Sequence, residues 1–255
     1  MPYFVNDGLS LYYEVHGSGP PVVMLHGAAV SFAGNFGACG WIDRMTGRGL
    51  QVVGLDSRGH GSSAKVYDSA LYGTDVLSSD VIALLDHLAI ERASVVGYSI
   101  GSAIALHLLH AHPKRFIAGA LVATGDGLIG LSPLTFPAIL PRLAETLRRP
   151  EFPTDLPPHV AVYWTFATQI AGDREAVAAG AGADYPPCAV AEAESVYVPV
   201  LVVSGDGDLV LGTGSRLAAT IPRGRYFEIA GADHFSLALD ESVQTAVAGF
   251  LAEAG

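Results

Sequence analysis

Only two cysteines, Cys39 and Cys188, occur in 255 residues. That excludes a disulfide framework, and neither cysteine lies at a metal-ligand spacing, so no metal is expected. Positive charge is scarce as well: 14 Lys and Arg stand against 25 Asp and Glu, a formal net charge of −11. Phosphate binding needs a basic face, so nucleic acid is excluded as a partner. An anionic membrane surface gains no support either. Lys65 and Lys114 are the only lysines, which, with the many alanines, reads as genomic composition rather than mechanism. No apolar run approaches the length of a membrane span. The stretch Met1-Pro2-Tyr3-Phe4-Val5-Asn6-Asp7 has no basic n-region and no long apolar h-region. A secretory leader is therefore not expected, and cytoplasmic localisation is the default. Internal repeats and low-complexity segments are absent too, although residues 176–183 are rich in alanine and glycine.

What is present is a chain that is 50% hydrophobic, long enough for one α/β domain with an insertion. Eight segments read as strands. Residues 3–5 and 9–16 flank the turn signal Asn6-Asp7-Gly8, and the second alternates in the manner of a hairpin strand. Residues 21–25, 51–55, 93–96, 117–122 and 198–203 are continuous apolar runs, as expected for strands buried on both faces of a sheet. Residues 226–229 form a further short candidate. Between them lie helical patterns at 41–48, 72–88, 102–110, 215–220 and 236–252. Strand and helix in alternation mean parallel βαβ units, hence a doubly wound sheet with helices on both faces. Ligands of such sheets bind beyond the carboxyl ends of the strands.

The rhythm breaks between about residues 127 and 196. Nine prolines fall there, with helical pieces at 140–147, 160–170 and 174–181 and no convincing strand. The expected organisation is a core of residues 1–126 and 197–255 with a helical lid, 127–196, lying over the site.

Gly97-Tyr98-Ser99-Ile100-Gly101 carries the chemistry. A G-x-S-x-G pentapeptide alone is common by chance, but one that closes a β-rich run and opens a helical one describes a nucleophile elbow. The turn is so tight that side chains two residues either side of the serine would collide, and glycine has none. The strain lifts the Ser99 hydroxyl clear of the sheet and leaves the Ile100 amide free at a helix N-terminus.

A serine hydroxyl is a weak nucleophile at neutral pH and needs a base within reach. Of nine histidines, His234 alone follows the last strand candidate in a loop, just before the final helix. An orienting carboxylate is expected at another strand end, where Asp208, Asp206 and Asp126 are all available. The second amide donor for an oxyanion is expected after the 21–25 strand, in His26-Gly27-Ala28-Ala29, with Ala28 N–H as the candidate. His26 itself reads as a structural hydrogen-bonding residue.

These residues resemble the α/β-hydrolase superfamily over nearly the whole chain. His26-Gly27 resembles its oxyanion-loop motif, and Gly97–Gly101 its elbow. The run Asp56-Ser57-Arg58-Gly59-His60-Gly61-Ser62-Ser63 resembles its D-x-R-G-x-G-x-S segment. Gly205-Asp206-Gly207-Asp208 resembles the G-x-x-D that carries the acid, which favours Asp208 over Asp206. Gly231-Ala232-Asp233-His234 resembles the histidine loop, with Asp233 where a glycine commonly stands, and Ser102 replaces a second small residue. The resemblance implies an eight-stranded, mostly parallel α/β-hydrolase fold with a helical cap, and a Ser99–His234–Asp208 triad with Ala28 and Ile100 as oxyanion donors. It implies that Arg58 and His60 are structural and satisfied internally.

Membership of a fold leaves the reaction open. A serine at the elbow argues against the dehalogenase and epoxide hydrolase members, which use an aspartate there. The expected activity is cleavage of carboxylic esters of small to medium, mostly apolar acyl groups through an acyl-enzyme. Carbon–carbon bond hydrolase, lactonase, thioesterase, cofactor-free perhydrolase and a non-catalytic ligand-binding protein are the alternatives. Phe136, Tyr163, Trp164 and Phe166 are the expected pocket wall within the lid. No cofactor is called for. The expected partner is a small-molecule ester or related acyl substrate, and assembly with further copies of the chain is left open.

Overall fold

The computed structural model describes residues 2–254, and its sheet grows from the apolar runs. β1 (Tyr3–Asn6) and β2 (Leu9–His16) form a hairpin about Asp7-Gly8, both residues at positive φ as a tight primed turn requires. β3 (Pro21–Leu25), α1 (Trp41–Thr46), β4 (Gln51–Leu55), α2 (Thr74–His87), β5 (Ala93–Tyr98), α3 (Ile100–Ala111) and β6 (Phe116–Val122) follow. The four helices α4 (Phe136–Leu147), α5 (Pro158–Gln169), α6 (Arg174–Ala181) and α7 (Val190–Glu194) lie between β6 and β7 (Val200–Gly205). α8 (Ser215–Thr220), β8 (Gly224–Ile229) and α9 (Glu241–Ala254) complete the chain.

The eight strands lie in the order β1-β2-β4-β3-β5-β6-β7-β8. β1 pairs antiparallel with β2, and β2 with β4; the other five pairings are parallel. Alternation along each buried strand feeds two separate cores, because successive Cβ atoms leave opposite faces. Val23 and Leu25 of β3, with Val200 and Val202 of β7, join the core beneath α2 and α3. Val22 and Met24, with Leu201 and Val203, join the core beneath α1 and α9, among Phe36, Trp41, Met45 and Val247. Each such buried aliphatic or Phe side chain contributes about 1.5–3 kcal/mol. Apolar surface on both faces is what obliges this sheet to carry two helical layers.

The insertion has its own amphipathic logic. α4 buries Phe136, Leu140, Leu143, Ala144 and Leu147, three or four residues apart, and packs on α5 and α6. Pro157 caps α5 and Pro158 occupies its first turn, where a missing N–H costs nothing.

Several boundaries differ from the sequence expectation, each for a local reason. The 72–88 helix begins at Thr74, because Tyr72 is extended and Gly73 sits at φ 97°. The 236–252 helix divides into a short 3₁₀ turn, Ser236–Ala238, and α9, since the Asp240 carboxylate accepts from the amides of Ser242 and Val243 and starts a fresh helix. The 140–147 helix starts earlier, at Phe136, and α7 is an additional helix of five residues. Among the described residues no helix is long and apolar enough to cross a membrane.

Candidate active site

β5 delivers Ser99 to the carboxyl edge of the sheet and α3 departs immediately behind it. Ser99 holds φ 54° and ψ −117°, a conformation an L side chain rarely adopts and which costs on the order of 1–3 kcal/mol. Its neighbours explain the two glycines. A Cβ at Gly97 would overlap the carbonyl of Gly101, and one at Gly101 would overlap the carbonyl of Leu25. Ser102 is more than a small residue in this turn. Its Oγ lies 2.8 Å from the carbonyl oxygen of Gly97 and 3.0 Å from that of Val122, so its proton ties the ends of β5 and β6 beneath the elbow.

The loop after β8 carries His234 over the sheet. Its Nε2 lies 3.0 Å from Ser99 Oγ, and its Nδ1 lies 2.8 Å from Asp208 Oδ2. The chemistry assigns the tautomer: the carboxylate can only accept, so Nδ1–H donates to Asp208 and Nε2 accepts from the Ser99 hydroxyl. All three side chains are buried. Burial pushes the Asp208 carboxyl up, but the hydrogen bond and charge of His234 and the amides of Leu211 and Val210 outweigh it and hold the acid below its ordinary value. Asp233, in place of a glycine, accepts from the amides of Phe235 and Ser236 and so shapes the turn that aims His234. Tyr98 OH donates to the His234 carbonyl at 2.6 Å and pins the loop to β5.

The two other carboxylates are committed elsewhere. Asp206 Oδ1 accepts from Gly231 N at 2.6 Å, and Asp126 Oδ1 accepts from Arg216 N and Leu217 N in the first turn of α8. Of the three aspartates, Asp208 is the one that meets His234.

Ala28 follows β3 and borders the same cavity as Ser99. Ala29, next to it, sits at φ 63°, so the backbone turns sharply at this point. Ile100 is the first residue of α3, and its N–H has no acceptor within the helix. Asn35, which no periodic pattern singles out, fixes this loop: its Oδ1 accepts from Gly27 N at 2.8 Å. It stands in a single π-helical turn, Ala33–Gly37, a geometry with no sequence signature of its own.

Behind the loop lies a second buried polar cluster. His26 Nδ1–H donates to Gly27 O, and its Nε2 accepts from Ser57 N, which accords with a structural role. Arg58 forks onto Asp80 through Nε at 2.8 Å and Nη2 at 2.6 Å, and donates to Leu71 O. Burial works against the charged guanidinium, yet Asp80 and Asp7 hold its pKa above the ordinary value. His60 departs from expectation. Its Nδ1–H donates to Arg58 O at 3.1 Å, but Nε2 is buried without a hydrogen-bond partner, because the ring is packed against His26 with centroids 5.0 Å apart. Burial and the neighbouring His26 push its pKa down to about 3. Burial also lowers that of His26, against the pull of Asp56.

Two cavity lobes meet at Ser99. The first, of about 260 Å³, is lined by Tyr163, Phe166, Ile170, His234 and Phe235 besides Ser99. The second, of about 360 Å³, lies under α4 and is lined by Phe136, Leu140 and Arg142, with Ser99, Ala28 and Tyr163 shared between the two. Trp164 reaches neither. Residues 163 and 166 lie on one face of α5, with Ile170 immediately past its end, and Tyr163 and Phe166 meet the Phe235 ring at 5.4 and 5.9 Å. Residue 164 is turned about 100° away on a helix of 3.6 residues per turn. There its Nε1–H donates to Arg149 O, Phe152 meets it edge-on and the Arg174 guanidinium lies over its ring at 4.7 Å.

Residues 20–170 match the family model described as alpha/beta hydrolase fold. The 2-hydroxy-6-oxo-6-phenylhexa-2,4-dienoate hydrolase of Comamonas testosteroni is 35% identical over 128 residues, 48% of this chain and 42% of that protein. Epoxide hydrolase B of Mycobacterium tuberculosis is 36% identical over 119 residues, 44% of this chain and 32% of that protein. The first curated relatives are matched over about a third of their own length, 31% and 32%. Among solved structures, the enol-lactonase from Burkholderia xenovorans LB400 superposes with a TM-score of 0.80 at 25% identity, covering 98% of this chain and 99% of that one. Est816, an N-acyl homoserine lactone degrading enzyme, superposes with a TM-score of 0.73 at 28% identity, covering 96% and 98%.

Proposed function

The chain belongs to the alpha/beta-hydrolase family, and from that premise we propose that it is a serine hydrolase cleaving carboxylic esters through an acyl-enzyme. The observation that carries the reading is the relay from Asp208 through His234 to Ser99, at 2.8 and 3.0 Å, opening onto apolar lobes. Ser99 Oγ attacks the ester carbonyl while His234 Nε2 takes its proton. The oxyanion forms against the N–H groups of Ala28 and Ile100, each such donor being worth on the order of 3 kcal/mol. His234 then protonates the leaving oxygen, and an alcohol departs. Water repeats the sequence: it attacks the acyl-serine, passes a proton to His234, and Ser99 leaves with that proton as the carboxylic acid is released.

A serine–histidine pair attacks carbonyl carbon, so ester chemistry suits this elbow better than the ring-opening named for the epoxide hydrolase relative. A lactone is an ester with its two halves tethered, so the lactone-degrading neighbours fall within the same reading. In this reading residues 127–196 are a cap over a core of 1–126 and 197–255, and they exclude water from the acylated serine. Turnover of 4-nitrophenyl butyrate tests it. Ser99→Ala should lower kcat by about 10³-fold or more with the fold unchanged; a variant as active as the parent refutes the proposal, whereas a folded parent protein without any turnover would leave a ligand-binding role as the stronger reading.

A further inference from the structure

The two lobes are chemically unlike, and His234 tells which half of an ester each one receives. Histidine protonates the leaving oxygen, so the alcohol must depart on the side that His234 borders. His234 and Phe235 line the first lobe and not the second. The leaving group therefore belongs in the first lobe, and the acyl chain in the second.

The second lobe is walled along α4 by the apolar side chains of Phe136, Leu140 and Leu143. Arg142, an exposed residue of the same helix, also lines it, and from α5 so does His159. Arg142 is the only formally charged side chain lining this lobe, and no carboxylate lines it. Among the described residues Arg142 forms no ion pair, as holds for most of the arginines; what sets it apart is its place in the wall of this lobe. A guanidinium that is the one formal charge in the wall of a largely apolar acyl lobe, in a chain of net charge −11, is suited to recognition. One guanidinium fork suits a single carboxylate, which it can grip through two parallel hydrogen bonds.

We propose that the second lobe is a site for an acyl chain ending in a carboxylate, with Arg142 as the residue that selects it and His159 lining the same lobe. The natural substrate class is then the monoester of a dicarboxylic acid, or a lactone that carries a carboxylate on its acyl side. This inference rests on the ester hydrolase reading given above.

Matched esters test it: mono(4-nitrophenyl) adipate against 4-nitrophenyl hexanoate, and mono(4-nitrophenyl) suberate against 4-nitrophenyl octanoate. At low salt the parent protein should favour at least one carboxylate-ended ester over its neutral partner by about ten-fold in kcat/KM. That advantage should shrink as salt screens the pair. Arg142→Gln should remove it through KM rather than kcat, while Arg148→Gln, which deletes an equal charge from the end of α4 outside the lobe, should leave the ratio where it was. Neutral esters preferred or equal throughout, or Arg142→Gln leaving the ratio untouched, would overturn the proposal. Ser99-dependent turnover of the neutral esters without a carboxylate preference removes only the acyl-site inference. Failure to turn over any of the four esters removes the hydrolase reading as well.

Discussion

Two buried clusters of histidine and carboxylate lie on either side of the Gly27-Ala28 loop, and they are built from the same residue types for opposite ends. In the cluster of His26, Asp56, Arg58, His60 and Asp80, nearly every polar atom faces another protein group. Asp56 accepts from the amides of Phe32 and Ser62, His26 links Gly27 to Ser57, and Arg58 is gripped by Asp80. The cavity this cluster borders has a volume of only about 30 Å³, against about 260 and 360 Å³ for the two lobes at Ser99. In the cluster of Ser99, His234 and Asp208, the relay runs in one line and ends at a hydroxyl that borders two lobes. A closed network of hydrogen bonds holds loops in place. In the proposed mechanism the open-ended one presents a nucleophile. Residue type alone does not separate these roles; what separates them is whether the network ends at a cavity large enough for a substrate.

Removing one member from each cluster should therefore produce opposite signatures. Asp208→Asn keeps the shape but favours the wrong histidine tautomer, so kcat on 4-nitrophenyl butyrate should fall by on the order of 10³–10⁴ with little change in the unfolding midpoint. Asp80→Ala strands the buried Arg58 charge and should lower stability by about 3–5 kcal/mol in urea unfolding. Its folded fraction should keep kcat within a few-fold of the parent. If Asp80→Ala instead abolished turnover at full stability, the division between the clusters would be wrong.

Acid should find the structural cluster first. In the unfolded chain His60 titrates near 6.5, whereas in the folded protein it stays neutral until about 3. The unfolded state therefore binds more protons between those values, and stability falls as pH is lowered through that window. Asp208 has the opposite kind of group but the same sign. Its carboxyl is held below 3.8, so the stability it contributes is present above that value and lost only in stronger acid. Urea midpoints measured from pH 7 to 4 should decline, and His60→Asn should flatten the decline; an unchanged slope in that variant would relocate the acid sensitivity to another group.

The smallest effect separates strain from function at one residue. Ser99→Gly relieves a side chain held at φ 54° and should raise stability by about 1 kcal/mol, while ester turnover disappears. A loss of stability there would mean that the elbow is not strained in the manner described.

Much of this division could be read before any coordinates. Five of the eight strands were readable because buried parallel strands are continuous apolar runs, and the first two from a turn signal and alternation; Ser99 was readable because it follows such a run, and His234 because it follows the last strand candidate. Asp208 was one of three carboxylates at strand ends. Only the positions of the amides at Gly231, Arg216 and Leu217 remove Asp206 and Asp126 from contention. Trp164 was misplaced because hydrophobicity says that a side chain is buried, not which side of α5 it leaves. Asn35 was missed since its π-turn has no periodic pattern, and the unpartnered His60 nitrogen depends on how two rings pack across a loop. Long-range side-chain direction is the quantity that local pattern does not hold.

The most direct test of the central claim is labelling with a fluorophosphonate probe followed by peptide mass mapping. The account predicts one adduct per chain, on Ser99, formed rapidly in the parent protein and slowed strongly in Asp208→Asn. An unlabelled Ser99 in protein that still hydrolyses 4-nitrophenyl butyrate, or an adduct at another serine, would contradict it.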